Sequence, residues 1–236
     1  MNYKRVLAGS LLILAAHSLS ASAESVDLRV MGTLIPGACA PTLGNSGVID
    51  YGYITADKLS PDAYTPLEVK SLELTIICTA PAKVAIQAVN GRPGTVAGGA
   101  ENGVSLAAPS PVALFGGIFP AVVGLGLEGA TPIGGYALRA VAGSFRADGN
   151  EVVNIWQNSD NESDNLDLTT NIITLYTTNS VFRYISWAVP GTELPFAFTV
   201  LNGQLEVQAY INKSESLDLS SAIQLDGQTT IEIVYL

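Results

Sequence analysis

Apolar and polar side chains alternate with a period of two through most of the chain. The alternation is clearest in four segments, Val26–Val30, Leu72–Cys78, Phe196–Val200 and Ile231–Tyr235. Such a pattern places one face of a β-strand on a core and the other face toward solvent. The chain lacks a long stripe with the 3.6-residue period of a helix, and Gly, Pro, Asn and Asp separate the apolar runs. The pattern therefore predicts an all-β sandwich.

The stretch Asn90–Gly135 departs from this alternating pattern because it is rich in Gly, Ala and Pro and has no charged residue between Glu101 and Glu128. Its prolines and glycines would interrupt a membrane-spanning helix, so we expect apolar strands and turns that cover the sandwich. Within it, Gly124-x-Gly126-x-x-Gly129 has the spelling of a dinucleotide-binding motif. That motif requires a helix to begin there, and Pro132, Gly134 and Gly135 prevent one, so the segment is predicted to be a turn.

The first 23 residues have the three parts of a secretory signal peptide. Lys4 and Arg5 precede an uncharged apolar run, which ends near the small residues Ala21-Ser22-Ala23. The apolar run is shorter than the roughly 20 residues that a membrane span needs. We therefore expect cleavage after Ala23 and export of residues 24–236.

The charge balance and the lack of histidine in the exported chain argue against several classes of function. The chain has 11 basic and 21 acidic residues, and removal of Lys4 and Arg5 with the signal leaves 9 against 21, a net charge of −12. This balance offers no basic surface for nucleic acid or anionic lipid. The single histidine, His17, lies in the signal, so the exported chain lacks an imidazole base or ligand. We expect no cofactor, no metal and no enzymatic activity.

An enzyme without histidine would depend on paired carboxylates, as glycoside hydrolases do. The candidates Asp148, Glu151, Glu193 and Glu206 lie beside Gly or Asn at predicted turns or on polar strand faces. We expect them to be solvated surface acids. The acidic segment 158–167 lacks the central glycine and the ligand spacing of a calcium loop, so we expect a solvated hairpin tip.

Both cysteines, Cys39 and Cys78, follow the signal. An even number of cysteines in an exported chain predicts one structural disulfide, which would close a loop of about 40 residues.

The two ends of the exported chain carry a family resemblance. Gly32-Thr-Leu-Ile-Pro-Gly-Ala-Cys39 follows the alternating Val26, Leu28 and Val30, and the chain closes with an alternating strand and a penultimate tyrosine, Tyr235. This combination resembles the structural subunits of chaperone-usher fimbriae. The runs Val123–Leu127, Ile133–Tyr136 and Leu225–Leu236 look like a bacterial group of fimbrial-like proteins whose role is undefined.

The resemblance implies an immunoglobulin-like, pilin-type sandwich that lacks its last strand. The disulfide would tie the first two core strands. Residues 24–31 would form an N-terminal donor strand, with Val26, Leu28 and Val30 entering the groove of another subunit, and residues 32–236 would form the sandwich with an elaboration at 90–135. The implied partners are other fimbrial subunits, an outer-membrane usher and a periplasmic chaperone that binds the C-terminal residues Ile231, Ile233, Tyr235 and Leu236.

Two functions follow from the resemblance. The first is a structural subunit of a surface fimbria, exported to the periplasm and then to the cell surface. The second is an adhesin or tip subunit that binds a surface glycan, for which Trp156, Trp187, Tyr176 and Tyr184 are the candidate sugar-stacking side chains. The favoured interpretation of these four aromatics is that they belong to the core and rim of the sandwich.

Overall fold

The computed structural model describes residues 26–33, 37–160, 167–168 and 173–236. The predicted signal peptide and most of the acidic segment 158–167 lie outside these residues. The chain divides into two units, Met1–Ile35 and Pro36–Leu236. Within the described residues the second unit is built of β-strands and three short 3₁₀ turns, Gly44–Gly47, Ala56–Lys58 and Ser214–Ser216, which confirms the all-β prediction.

The strands are numbered in chain order. They are β1 Cys39–Leu43, β2 Thr65–Ala82, β3 Val84–Asn90, β4 Ala108–Pro109, β5 Ala121–Gly124, β6 Leu127–Glu128, β7 Thr131–Pro132, β8 Gly134–Ala140, β9 Arg146–Ala147, β10 Asn150–Glu151, β11 Val153–Asn158, β12 Asp167–Leu168, β13 Ile173–Thr174, β14 Arg183–Ala188, β15 Phe198–Ile211 and β16 Thr229–Tyr235.

The first sheet has the order β1-β2-β15-β8-β5-β4. Its centre is the long antiparallel pair of β2 and β15, in which Leu72 lies opposite Leu205 and Ile76 opposite Leu201. These four side chains are buried, whereas Glu73 between them is exposed. The period-two pattern of the sequence therefore becomes an apolar inner face and a polar outer face, as expected for a half-buried strand.

The second sheet has the order β12-β11-β14-β3-β16. β16 is antiparallel to β3, with Ile233 opposite Ile86 and Ile231 opposite Ala88. The inner faces of the two sheets enclose an aromatic cluster in which Trp187 packs against Phe145 and Phe198, at ring-centroid distances of 5.2 and 6.0 Å.

The strand order corresponds to an immunoglobulin-like sandwich. In that fold strands A, B, E and D form one sheet, and C, F and G belong to the other. Here β1-β2-β15-β8 occupies the A-B-E-D positions, and β3-β16 occupies the C-F positions. Within the described residues, the position beside β16 where strand G would pair holds no strand. The sandwich is therefore open along the edge between β16 and β1.

The Asn90–Gly135 elaboration folds onto the outer face of the first sheet. A second apolar cluster forms there, with Tyr210 of β15 and Ala137 of β8 packed against Val96, Leu114 and Phe115. This arrangement agrees with the expectation of apolar strands and turns covering the sandwich. The glycines of Gly124-x-Gly126-x-x-Gly129 lead from β5 into the β6–β7 hairpin, so the motif forms a turn, as predicted.

Candidate functional site

The disulfide between Cys39 and Cys78 fixes the position of β1. The two residues are directly opposite in the β1–β2 ladder, and their Cα atoms are 4.0 Å apart. The predicted disulfide and its connection of the first two strands are confirmed. It attaches the short strand β1 to the edge of the first sheet, where its outer edge faces the open side of the sandwich.

The second free edge belongs to β16, the last strand of the second sheet. The two edges meet at one end, where the Cys39 backbone N–H donates to the Tyr235 hydroxyl over 2.7 Å. Apart from this contact, the described residues show no backbone hydrogen bond between β1 and β16. Beyond this contact a channel lies next to the unpaired edges. We call it the edge groove, and its walls are residues 43–59 on one side and 217–231 on the other.

The first part of the edge groove opens directly onto the sandwich core. Its floor is formed by Leu72, Leu138 and Leu205, which face inward from the first sheet. Its walls include Leu43 on one side and Ile231 on the other. The cavity is about 170 Å³, close to the volume of an engineered apolar cavity that holds one benzene molecule. It therefore accommodates a large aliphatic side chain.

A second cavity of about 400 Å³ continues the groove beyond Leu225. The two cavities share Ile49, Tyr51 and Leu225 in their linings, so they lie next to each other. The far end is lined by Leu59, by Leu217 and by other mostly apolar side chains of residues 217–225. The two cavities thus extend from Leu43 and Ile231 to Leu59 and Leu217, on the side away from the Cys39–Tyr235 contact.

The apolar side chains of the walls are incompletely covered. Leu43, Ile231 and Ile233 pack against the main core but are only half-buried. By contrast, Ile86, the cross-strand partner of Ile233 on the covered side of β16, is fully buried. An apolar surface of this kind beside two open strand edges favours pairing with an added strand.

Three hydroxyl groups anchor the start of β16. The Thr229 hydroxyl lies 2.6 Å from the Tyr136 hydroxyl and 2.7 Å from the Tyr176 hydroxyl. Burial raises the pKa of Tyr136 to about 12 and also raises the pKa of Tyr176, so both phenols are neutral at ordinary pH. The cluster fixes the position of one groove wall.

A salt bridge holds the same wall from the outside. The Arg92 guanidinium lies 2.8 Å from Asp226 and also donates to the Gln228 side chain. The hydrogen bond from Arg92 and its positive charge lower the pKa of Asp226. Gly91 adds a backbone hydrogen bond to the Gln228 carbonyl. Residues 226–228 are therefore attached to the end of β3.

The predicted C-terminal site residues all lie at this edge. Ile231 and Ile233 face the core side of β16, whereas Tyr235 and Leu236 are 52% and 44% exposed. The Leu236 backbone N–H donates to the Lys83 carbonyl.

The predicted donor residues show a different environment. Residues 26–33 contain no strand, and the side chains of Val26, Leu28 and Val30 are each at least 90% exposed.

The four candidate sugar-stacking aromatics do not form a surface platform. Trp187 and Tyr176 are completely buried. Trp156 is half-buried, and the Arg183 guanidinium lies over its ring at 4.9 Å from the centroid. Two of the four side chains are therefore core residues that no glycan can reach.

One of the expected surface acids is not simply solvated. The Glu206 side chain is 18% exposed and forms a salt bridge with Arg139. The Arg139 guanidinium in turn lies over the Phe115 ring, 4.3 Å from its centroid. Asp148 is exposed and accepts hydrogen bonds from Thr199 and Val200, which lower its pKa.

Across the described ranges, no three His, Cys, Asp or Glu side chains are grouped closely enough to hold a metal ion. None of the helices in those ranges has the length and apolarity to cross a membrane.

Sequence reasoning missed the walls of the groove. Ile49 and Tyr51 on one side, and Ile223 and Leu225 on the other, line the groove from segments that are not strands. The signal was present, since each pair has the period-two spacing of a strand that faces a core.

Comparison with known proteins gives one family match and two full-length similarities. Residues 28–119 match a family model described as "Protein of unknown function (DUF1120)". The chain is 25% identical to Protein GltF of Escherichia coli (strain K12) over 254 aligned residues, covering 98% of this chain and 96% of that protein. It is 27% identical to Uncharacterized protein YhcF of the same strain over 243 aligned residues, covering 100% and 99%. No solved structure matches the chain. The chain is thus similar along its whole length to two proteins of an enteric bacterium.

Proposed function

We propose that this chain is a non-enzymatic structural subunit of a bacterial surface fimbria, assembled by donor-strand exchange. The observation that carries the proposal is the edge groove, which is open between β1 and β16 where an immunoglobulin-like sandwich has strand G. An incoming strand would pair with the free edges and cover the half-buried Leu43, Ile231 and Ile233. This mode of binding is β-strand addition.

The donor in this proposal is the N-terminal segment of a neighbouring subunit, and residues 24–31 are the segment that this chain would itself donate. Eight extended residues span about 27 Å, and the seven residues of β16 span about 24 Å, at 3.4 Å per residue. The donor is therefore long enough to pair with the whole strand. Burial of each of Val26, Leu28 and Val30 contributes about 1.5 to 3 kcal/mol.

Insertion changes one contact at the end of the groove. In the structure, the Tyr235 hydroxyl accepts a hydrogen bond from the Cys39 backbone N–H, which lies at the free edge of β1. A donor strand would supply a backbone carbonyl in its place. The exchange replaces one hydrogen bond by another, so its net cost is on the order of 1 kcal/mol or less.

The proposal also assigns partners and a route. A subunit with an open apolar groove needs a temporary strand before assembly, and a periplasmic chaperone would supply it while a basic cleft holds the carboxylate of Leu236. An outer-membrane usher would then catalyse replacement of the chaperone strand by the donor of the next subunit. Export through the predicted signal peptide, residues 1–23, brings the chain to the periplasm and then to the cell surface.

The test changes one donor side chain. Leu28→Asp places a charge in the middle of the segment that enters the groove, and an unpaired buried carboxylate is strongly unfavourable. We expect the variant to fold and bind its chaperone but to be absent from heat-resistant polymers on unheated gels.

The matched control is Asp27→Ser, which changes the neighbouring residue on the opposite face of the segment. It should assemble at close to the normal level. Normal polymers from Leu28→Asp, or from a chain without residues 24–31, would contradict the proposal, and so would loss of the subunit's own fold on that deletion.

A further inference from the structure

We propose that the donor strand comes from a second copy of this chain, and that Arg29 of the donor pairs with Glu232 of the acceptor. This inference rests on the proposed function, and it adds the identity of the partner and the register of the pairing. It is carried by the positions of charged residues on β16 and on the exposed N-terminal segment.

β16 presents two different faces. Ile231 and Ile233 face the core, whereas Thr230 and Glu232 between them are exposed. Glu232 is thus a carboxylate at the centre of the strand's outer face.

The environment of Glu232 leaves its charge uncompensated. Its side chain accepts a hydrogen bond of 2.6 Å from the amide of Gln87 on β3, which is neutral. Among the described residues Glu232 forms no salt bridge. On the other side of β16 is the free edge where a donor would lie. A cation on the donor is therefore the partner that the acceptor's charge favours.

The N-terminal segment has the complementary pattern. Val26, Leu28 and Val30 alternate with Asp27 and Arg29. If the three apolar residues face the groove, both charged residues face outward, on the same side of the sheet as Glu232.

The strand-G position is antiparallel to strand F, so a donor there runs antiparallel to β16. Pairing Arg29 with Glu232 then fixes every other pair. Val30 lies opposite Ile231, Leu28 opposite Ile233, Val26 opposite Tyr235 and Asp27 opposite Val234. The charge pair and the apolar pairs thus agree on one register, and this agreement favours a second copy of the chain as the donor.

Neighbouring registers are less favourable. A shift by two residues in one direction places Asp27 opposite Glu232, which brings two like charges together. A shift by two in the other direction places Gly32 opposite Ile231, so the glycine leaves that part of the groove unfilled. A shift by one residue would turn the apolar side chains to solvent.

The experiment is a charge-swap cycle on the full exported chain. Arg29→Glu and Glu232→Arg are made singly and together, and self-assembly is followed by light scattering during size-exclusion chromatography. Both positions are at the surface, and circular dichroism with thiol labelling checks that each variant keeps its fold and its disulfide. We expect each single reversal to weaken association about threefold to tenfold and the double variant to regain most of it.

A peptide of residues 24–33 tests the proposed function separately from the register and the identity of the donor. Fluorescence anisotropy of the labelled peptide measures binding to the Glu232→Arg protein and to the unchanged one. The Arg29→Glu peptide should bind Glu232→Arg better than the unchanged protein, whereas Asp27→Arg should alter binding less than twofold.

Each outcome bears on the register, on the identity of the donor or on the proposed function. Peptide binding without any dependence on these charges would overturn the register and leave the proposed function standing. Stronger binding of the Asp27→Arg peptide would also overturn the register, since it would place residue 27 opposite Glu232. If the peptide binds but copies of the chain do not associate with one another, a second copy is not the donor. If the unchanged peptide does not bind, the proposed function itself fails.

Discussion

At the scale of single residues, the groove depends on a few polar contacts that hold its walls. Thr229 is the best example, since its hydroxyl meets both Tyr136 and Tyr176 at the start of β16. The sequence marks Thr229 only as the first residue of an alternating run. Its role arises from the meeting of β16, β8 and the segment before β14, which are far apart along the chain.

Replacing Thr229 by valine should destabilise the protein by about 1 to 3 kcal/mol. The two phenols lose a shared partner in a site where both are mostly buried, and an unsatisfied buried polar group costs about this much. Urea unfolding followed by tryptophan fluorescence measures the change. Thr230→Val, on the exposed face of the same strand, should shift the free energy of unfolding by less than about 0.5 kcal/mol. Equal effects at both positions would show that the hydroxyl cluster contributes nothing.

At the scale of strands, local pattern predicted much of the fold. The alternation in Leu72–Cys78 and Ile231–Tyr235 became parts of β2 and β16 with the expected inner faces. Strand order could not be predicted in this way, because pairing of β2 with β15 joins residues more than 100 positions apart. The groove walls were missed for a related reason. Ile49 and Leu225 lie in segments that pair with no strand, and they line a groove only because the chain brings the two walls together.

The disulfide adds a covalent link to the ladder that holds β1, a five-residue strand with one neighbour. A double change, Cys39→Ser with Cys78→Ser, should lower the free energy of unfolding by about 3 to 4 kcal/mol in the chain-entropy model, since the closed loop spans 39 residues. Denaturant unfolding of oxidised and variant protein measures the loss. The same loss should appear when the unchanged protein is reduced. If reduction has no effect, the covalent link does not determine the stability of this edge.

At the scale of the whole molecule, the sandwich is a complete core with one uncovered side. The aromatic cluster of Trp187, Phe145 and Phe198 is fully enclosed, and the Asn90–Gly135 elaboration packs on part of the outer face of the first sheet. Part of the apolar surface that remains lies in the edge groove, whose half-buried walls belong to the main core. An occupant of that groove should therefore stabilise the protein.

This leads to a thermodynamic prediction for a donor peptide of residues 24–33. A ligand that binds only the folded state stabilises it by RT ln(1 + [L]/Kd), which is about 2.7 kcal/mol when the peptide is present at 100 times its Kd. For a domain of this size, 1 kcal/mol corresponds to roughly 2 to 4 °C in Tm, so the peptide should raise Tm by about 5 to 11 °C. Scanning calorimetry of the exported chain at several peptide concentrations measures this shift. The increase should follow the logarithm of peptide concentration above Kd and be absent with the Leu28→Asp peptide, because a charged side chain cannot fill the apolar channel. An equal rise in Tm with both peptides would indicate non-specific binding and would show that the peptide does not stabilise the protein through the groove.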